Sequence, residues 1–117
     1  DGKQRKLLDI EIEELKLKIE DEKLKIKNTA ENLLNDLKAK QEALSIAESS
    51  YAIAKQAYEW DKTKYELGLI AKLQLDASEL AYQEALNKKT SAGYDYFLAK
   101  RALELAEQGV LVTGQEM

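Results

Sequence analysis

The chain has 117 residues, with 18 Lys and Arg against 22 Asp and Glu for a net charge of −4, and it contains no proline, cysteine or histidine. Those absences exclude imidazole general bases, thiol nucleophiles, disulfides and ordinary zinc sites. An acidic sum with no basic face argues against a nucleic-acid partner, and the short apolar runs contain no bilayer-spanning helix.

The chain opens Asp1-Gly2-Lys3, with neither a methionine nor an apolar signal region, and is expected to be an excised or processed segment. Residues 3–67, 65 in all, lack glycine and proline, so one helix is free to run the whole way. Its apolar positions step by threes and fours through Leu8, Ile12, Leu15, Ile19, Ile26, Ala30, Leu33, Leu37, Leu44, Ala47, Tyr51, Ala54, Tyr58 and Tyr65. That is a near-heptad seam, the pattern of coiled-coil-like packing. A second stripe starts at Ile10, Leu17 and Leu24 and resumes at Ala43, Ile46, Ile53, Ala57, Trp60 and Leu67. Two stripes mean contact with more than one neighbour, as in a bundle or a ring of helices.

Residues 8–19 also read as strand-like alternation, L-D-I-E-I-E-E-L-K-L-K-I. Helix is favoured because Glu13-Glu14 breaks the alternation, because Glu14 with Lys18 and Asp21 with Lys25 sit at i,i+4 spacing, and because the seam continues into the next segment. The first thirty residues carry eight charges of each sign, a salt-bridge-laced and solvated face rather than a cation site or an acid/base pair.

Gly68 followed by Leu69 has the form of a Schellman stop. Residues 68–71 are then a short turn, and the restart at Lys72 lacks a Ser, Thr, Asp or Asn at its N-cap. A second helix is predicted over 72–108, with an alanine-rich seam at Ala77, Ala81, Ala85, Ala92, Tyr96, Ala99, Leu103 and Ala106 and a second stripe at Leu73, Leu80, Tyr94, Leu98, Ala102 and Leu105. Gly93, inside it, suggests close packing or a local bend. Gly109 is expected to end the helix, with Val110 to Thr113 opening a strand or a linker and 109–117 a tail.

The fold class that follows is all-α: a long antiparallel α-helical hairpin, coiled-coil-like, with unequal arms. Folded back from the turn, Gln108 reaches only to about Glu31. The earlier residues expose an apolar seam about 40 Å long at 1.5 Å per residue. Such a seam calls for cover from further chain or other subunits.

No constellation points to catalysis. Neither Ser49-Ser50 nor Thr90-Ser91 has a base within reach, and no glycine-rich phosphate loop exists. Tyr51, Tyr58 and Tyr65, seven apart, read as seam residues with hydroxyls at its edge or as a stacking or pore-lining row. The tip is less bland, because Leu69 and Ile70 put large apolar side chains where solvent would favour polar ones. A contact role for the tip follows.

Residues 65–109 resemble the TolC-like outer-membrane efflux proteins. That family repeats a long helix ending in a Y-E-x-G tip, then an alanine-rich return carrying an A-x-Y-x-Y-L-like stretch and closing in L-x-x-A-x-G. The counterparts are Tyr65-Glu66-Leu67-Gly68, then Gly93-Tyr94-Asp95-Tyr96-Phe97-Leu98, then Leu103 to Gly109. Asp1-Gly2-Lys3-Gln4-Arg5 resembles the family's D-G-G-x-R loop, where a membrane strand hands over to the long helix.

The resemblance implies one structural repeat of a homotrimeric export duct, part of an α-barrel crossing the periplasm. The parent would lie in the cell outer membrane, this segment would be periplasmic, and membrane contact would fall to other parts of the chain. It further implies docking onto a periplasmic adaptor and through it to an inner-membrane pump, with no cofactor and no enzymatic activity. The adaptor-contacting tip falls on Leu67, Gly68, Leu69, Ile70 and Ala71, and the aperture vicinity on Tyr65, Gln74, Asp76 and Ala77. Family members often carry Ser where Ala71 stands. Acidic residues that narrow the aperture in the family's best-known member would fall near Gln74 and Ala77, which cannot carry that charge, and Asp76, adjacent, would point elsewhere on the helix. Two alternatives are the hairpin of the adaptor itself, whose tips usually carry an arginine and a serine that Ile70 and Ala71 do not supply, and a stand-alone coiled-coil scaffold or dimerisation hairpin.

Overall fold

A computed structural model describes the backbone of residues 1–116 and the side chains of residues 1–109. It consists of two helices, α1 (Gly2–Glu66) and α2 (Lys72–Glu116), folded into an antiparallel hairpin 100 × 20 × 14 Å in extent. Residues 8–19 are helical, so charge spacing and the continuing seam outweigh the strand-like alternation.

α1 starts one residue earlier than expected because Asp1 caps it. The Asp1 carboxylate accepts hydrogen bonds from the backbone N–H groups of Lys3 (2.7 Å) and Gln4 (3.1 Å), satisfying two donors that a helix start leaves without partners. Its other end is a Schellman motif. Gly68 takes φ +74°, the Gly68 N–H donates to the Tyr65 carbonyl at 2.9 Å and the Leu69 N–H donates to the Lys64 carbonyl at 2.8 Å.

α2 departs from the expected end at residue 108. It passes through Gly109 and continues to Glu116. An interior glycine costs a helix only about 1 kcal/mol relative to alanine, and no proline follows to enforce a stop.

The half-buried positions define the seam. On α1 they are Leu33, Leu37, Lys40, Leu44, Ala47, Tyr51, Ala54, Tyr58 and Asp61; on α2 they include Leu75, Ser78, Tyr82, Ala85, Lys89, Ala92, Tyr96, Leu103 and Ala106, and Ala99 is buried. Each helix thus contributes two rows that repeat every seven residues without interruption, the condition for a left-handed supercoil. The α1 seam from Leu33 to Tyr58 is as expected, whereas Tyr65 lies outside it. On α2 the first turns differ from expectation. Ala77 and Ala81 are exposed, and Leu75, Ser78 and Tyr82 face α1 instead. Counting back by sevens from Tyr96 gives Lys89, Tyr82 and Leu75, so the run of alanines was an unreliable guide to that face.

Gly93 is not demanded by crowding. A Cβ placed there would meet only the Leu44 Cδ1, at an ordinary 3.8 Å. The arm before residue 33 is exposed throughout, with Leu8, Ile12, Leu15, Leu17, Ile19, Leu24 and Ile26 in solvent, as the unequal arms imply.

Candidate functional site

The tip is built by local chemistry at both helix ends. With Gly68 in the left-handed region, the chain reverses over four residues and presents Leu67 (68% exposed), Leu69 (69%) and, from the first turn of α2, Leu73 (80%) to solvent. Ile70 is half-buried rather than exposed. It occupies the position before the α2 N-cap, and Leu75, also half-buried, stands at the fourth helical position, the spacing of a hydrophobic staple.

The missing polar N-cap has a substitute. The Ala71 backbone N–H donates to the Gln74 Oε1 at 3.4 Å, and the Ala71 carbonyl accepts from Gln74 N at 3.1 Å and Leu75 N at 3.3 Å. Gln74 thereby performs one half of a capping box. The signal was present in the sequence as a glutamine three residues after the cap.

The residues assigned to the aperture do not form one cluster. Gln74 is occupied by its cap, Asp76 pairs with Lys72 at 3.7 Å, Ala77 is exposed, and Tyr65 stands under the Lys72 ammonium at 6.0 Å from the ring centroid. Among the described residues, no group of carboxylates could hold a metal ion.

Behind the tip the two helices are tied together. Ser78 Oγ donates to the Asp61 carboxylate, whose other oxygen lies 4.0 Å from Lys64 Nζ. One turn further, the Tyr82 ring stacks between Tyr51 (5.6 Å between centroids) and Tyr58 (5.5 Å), each at 29°. The tyrosine ladder therefore exists, but it crosses between helices and includes Tyr82 rather than Tyr65. Lys89 lies 4.3 Å from the Tyr51 ring centroid and Lys62 lies 4.7 Å from that of Tyr58, so cations close the stack on both sides. The Tyr51 and Tyr82 hydroxyls are 3.5 Å apart. This hydrogen bond, followed by partial burial, holds the Tyr82 phenol above its ordinary value. On the solvated arm, Asp21 (3.2 Å) and Glu22 (3.6 Å) flank Lys25, and the hydrogen bond and charge of Asp21 lead in raising the Lys25 ammonium.

One flat face of the hairpin is apolar. Ala43, Ile46, Ala47 and Ser50 of α1 and Ala81, Glu84, Ala85 and Lys88 of α2 line an open groove of about 480 Å³. Ile46, Ile53, Trp60 and Leu67, seven apart and all exposed, run along its α1 side. Neither the groove nor the part of Ala81 in it was anticipated as a site. The exposed second stripe on α1 was its only forewarning. Among the described residues, no helix is long and apolar enough to cross a membrane. Comparison with protein-family models, with curated proteins and with solved structures gives no match.

Proposed function

We propose that this chain is a periplasmic hairpin of a trimeric, TolC-like outer-membrane export duct, whose tip docks onto a periplasmic adaptor. Its work is conduit and docking. The tip carries the reading: Leu67, Leu69 and Leu73 project into solvent from a turn held by the Gly68 Schellman motif and the Gln74 cap. Exposed leucines on a rigid turn suit packing against another apolar tip, because the turn is already ordered before contact and little conformational entropy remains to be lost. The ribbon shape, 100 Å long and 14 Å thin, suits a wall element. Catalysis draws no support, since nothing in the sequence activates a nucleophile.

Site-specific crosslinking in export-competent cells tests the proposal. Cysteine at Leu69 or Leu73 is expected to form an adduct with an adaptor hairpin, while cysteine at Gln56, on an exposed turn of α1 away from the tip, is not. A strain that exports normally and yields no adaptor adduct from either tip position would remove the docking assignment.

A further inference from the structure

The stack behind the tip places two phenols where an oxidant can join them. Tyr51 on α1 and Tyr82 on α2 lie 5.6 Å apart between ring centroids, inclined by 29°, with their hydroxyls 3.5 Å apart. When a phenol loses an electron and a proton, the unpaired spin spreads to Cε1 and Cε2, the carbons beside the one that bears oxygen. Hydroxyls this close bring those carbons together, and stacked faces direct the spin-carrying orbitals at one another. Tyr58 also stacks on Tyr82, at 5.5 Å, and is the competing partner. The hydroxyl contact singles out Tyr51.

All three rings are half-buried in the seam, which holds them in place and screens them from other chains. Tyr65 and Tyr94 are exposed and stand in neither stack. The chain has no cysteine, so an oxidative bond between the helices falls to aromatic side chains.

We infer that Tyr51 and Tyr82 form an oxidative cross-linking site, where a one-electron oxidant, such as an oxidised metal complex or peroxidase haem, joins α1 to α2 through a dityrosine bond. Each phenol gives one electron to the oxidant and one proton to water, leaving two neutral phenoxyl radicals. A Cε carbon of Tyr51 then bonds to a Cε carbon of Tyr82. Both carbons release their hydrogens as protons and both oxygens regain protons as the rings become aromatic again. The net change is two C–H bonds broken, one C–C bond formed, two electrons passed to the oxidant and two protons released. The pair is 31 residues apart, so the bond closes a loop that contains the whole tip and constrains the unfolded chain. None of this depends on the duct assignment.

Illumination of the dilute purified chain with ruthenium tris-bipyridine and persulfate tests it, the monomer being recovered by denaturing electrophoresis. That monomer is expected to show dityrosine fluorescence and a mass lower by two hydrogens. Trypsin should yield a linked peptide joining residues 41–55 to residues 73–88, while Tyr58 falls on the separate peptide 56–62. Tyr51→Phe and Tyr82→Phe keep the rings, so the helical circular-dichroism signal should persist while each variant abolishes the link. Tyr94→Phe should leave it unchanged, and urea present during illumination should prevent it. The linked monomer should melt about 10 °C or more above the unlinked one. Concentrated chain, which should form dimers through exposed Tyr94, shows that the oxidant acts. Such dimers with no linked peptide in the monomer overturn the inference. So does a link that joins 56–62 to 73–88 instead, or one that persists in Tyr82→Phe. Adaptor crosslinking from the tip is read separately, so failure here and failure of the docking assignment are distinguishable.

Discussion

Residues 33–61 and residues 8–26 belong to one unbroken helix and carry apolar side chains at the same seven-residue step, yet only the first group is covered. The difference lies in one row. Leu37, Leu44, Tyr51 and Tyr58 in the body correspond to Asp9, Lys16 and Lys23 in the arm. A helix following the direction of α2 along the arm would have to bury those charges, at several kcal/mol per unpaired ion. The charged row thus separates the covered body from the solvated arm, although both carry apolar residues at the same step.

The largest test of this contrast is to remove the centre of the body seam. Tyr82→Ala takes away the ring stacked on both Tyr51 and Tyr58 and should destabilise the hairpin by about 3 kcal/mol, read as a lower thermal midpoint. Ile19→Ala on the exposed arm should stay within about 0.5 kcal/mol in the same thermal measurement at low protein concentration. Equal effects would dissolve the distinction between arm and body.

The turn comes next. Gly68 holds φ +74°, where a side chain costs about 1–2 kcal/mol. Gly68→Ala should therefore lower the denaturation midpoint and increase amide exchange at Leu69. Gly93→Ala should act oppositely, raising stability by about 1 kcal/mol, because the added methyl meets Leu44 at an ordinary distance. A loss at Gly93 would mean that the helices approach more closely than 3.8 Å suggests.

Smaller still is the arm's own cap. Asp1→Ala should cost about 1 kcal/mol, seen as faster exchange of the Lys3 and Gln4 amides with no change in the body.

The smallest effect is electrostatic. Both Lys25 and Tyr82 are raised above their ordinary values. A raised group adds stability that is fully present below its unfolded pKa and is lost as pH rises through its folded one. The window opens near 10.5 for Lys25 and near 10.0 for Tyr82. Alkali should loosen both regions, and only Tyr82 should give a delayed tyrosinate absorbance. Added salt should blunt the Lys25 effect, since that pair is solvent-exposed and screened.

The hairpin, its unequal arms and the Gly68 stop were legible because they rest on local rules: an uninterrupted 3.6-residue pattern and a glycine where φ must be positive. The alanine-rich face of α2 misled at Ala77 and Ala81. Alanine fits a seam or a solvent face equally well, and the long-range partners Tyr82 and Ser78 settle the register through Tyr51, Tyr58 and Asp61. Gly109 misled for a related reason, since a glycine stops a helix only when the residues after it offer another conformation. The tip was legible as apolar. Its division into exposed Leu69 and half-buried Ile70 was not, because a staple depends on the angle at which α2 leaves the turn.

The uninterrupted seven-residue rows on both helices have a further consequence for length. Each heptad adds about 10 Å of axis and returns every side chain to the face it had before. Evolution or design could lengthen the hairpin by whole heptads inserted in register in both helices, keeping the groove and the tip in alignment. Three or four residues inserted in one helix alone would instead turn the tip around the ribbon axis. The reach of such a hairpin is therefore set in steps of seven residues.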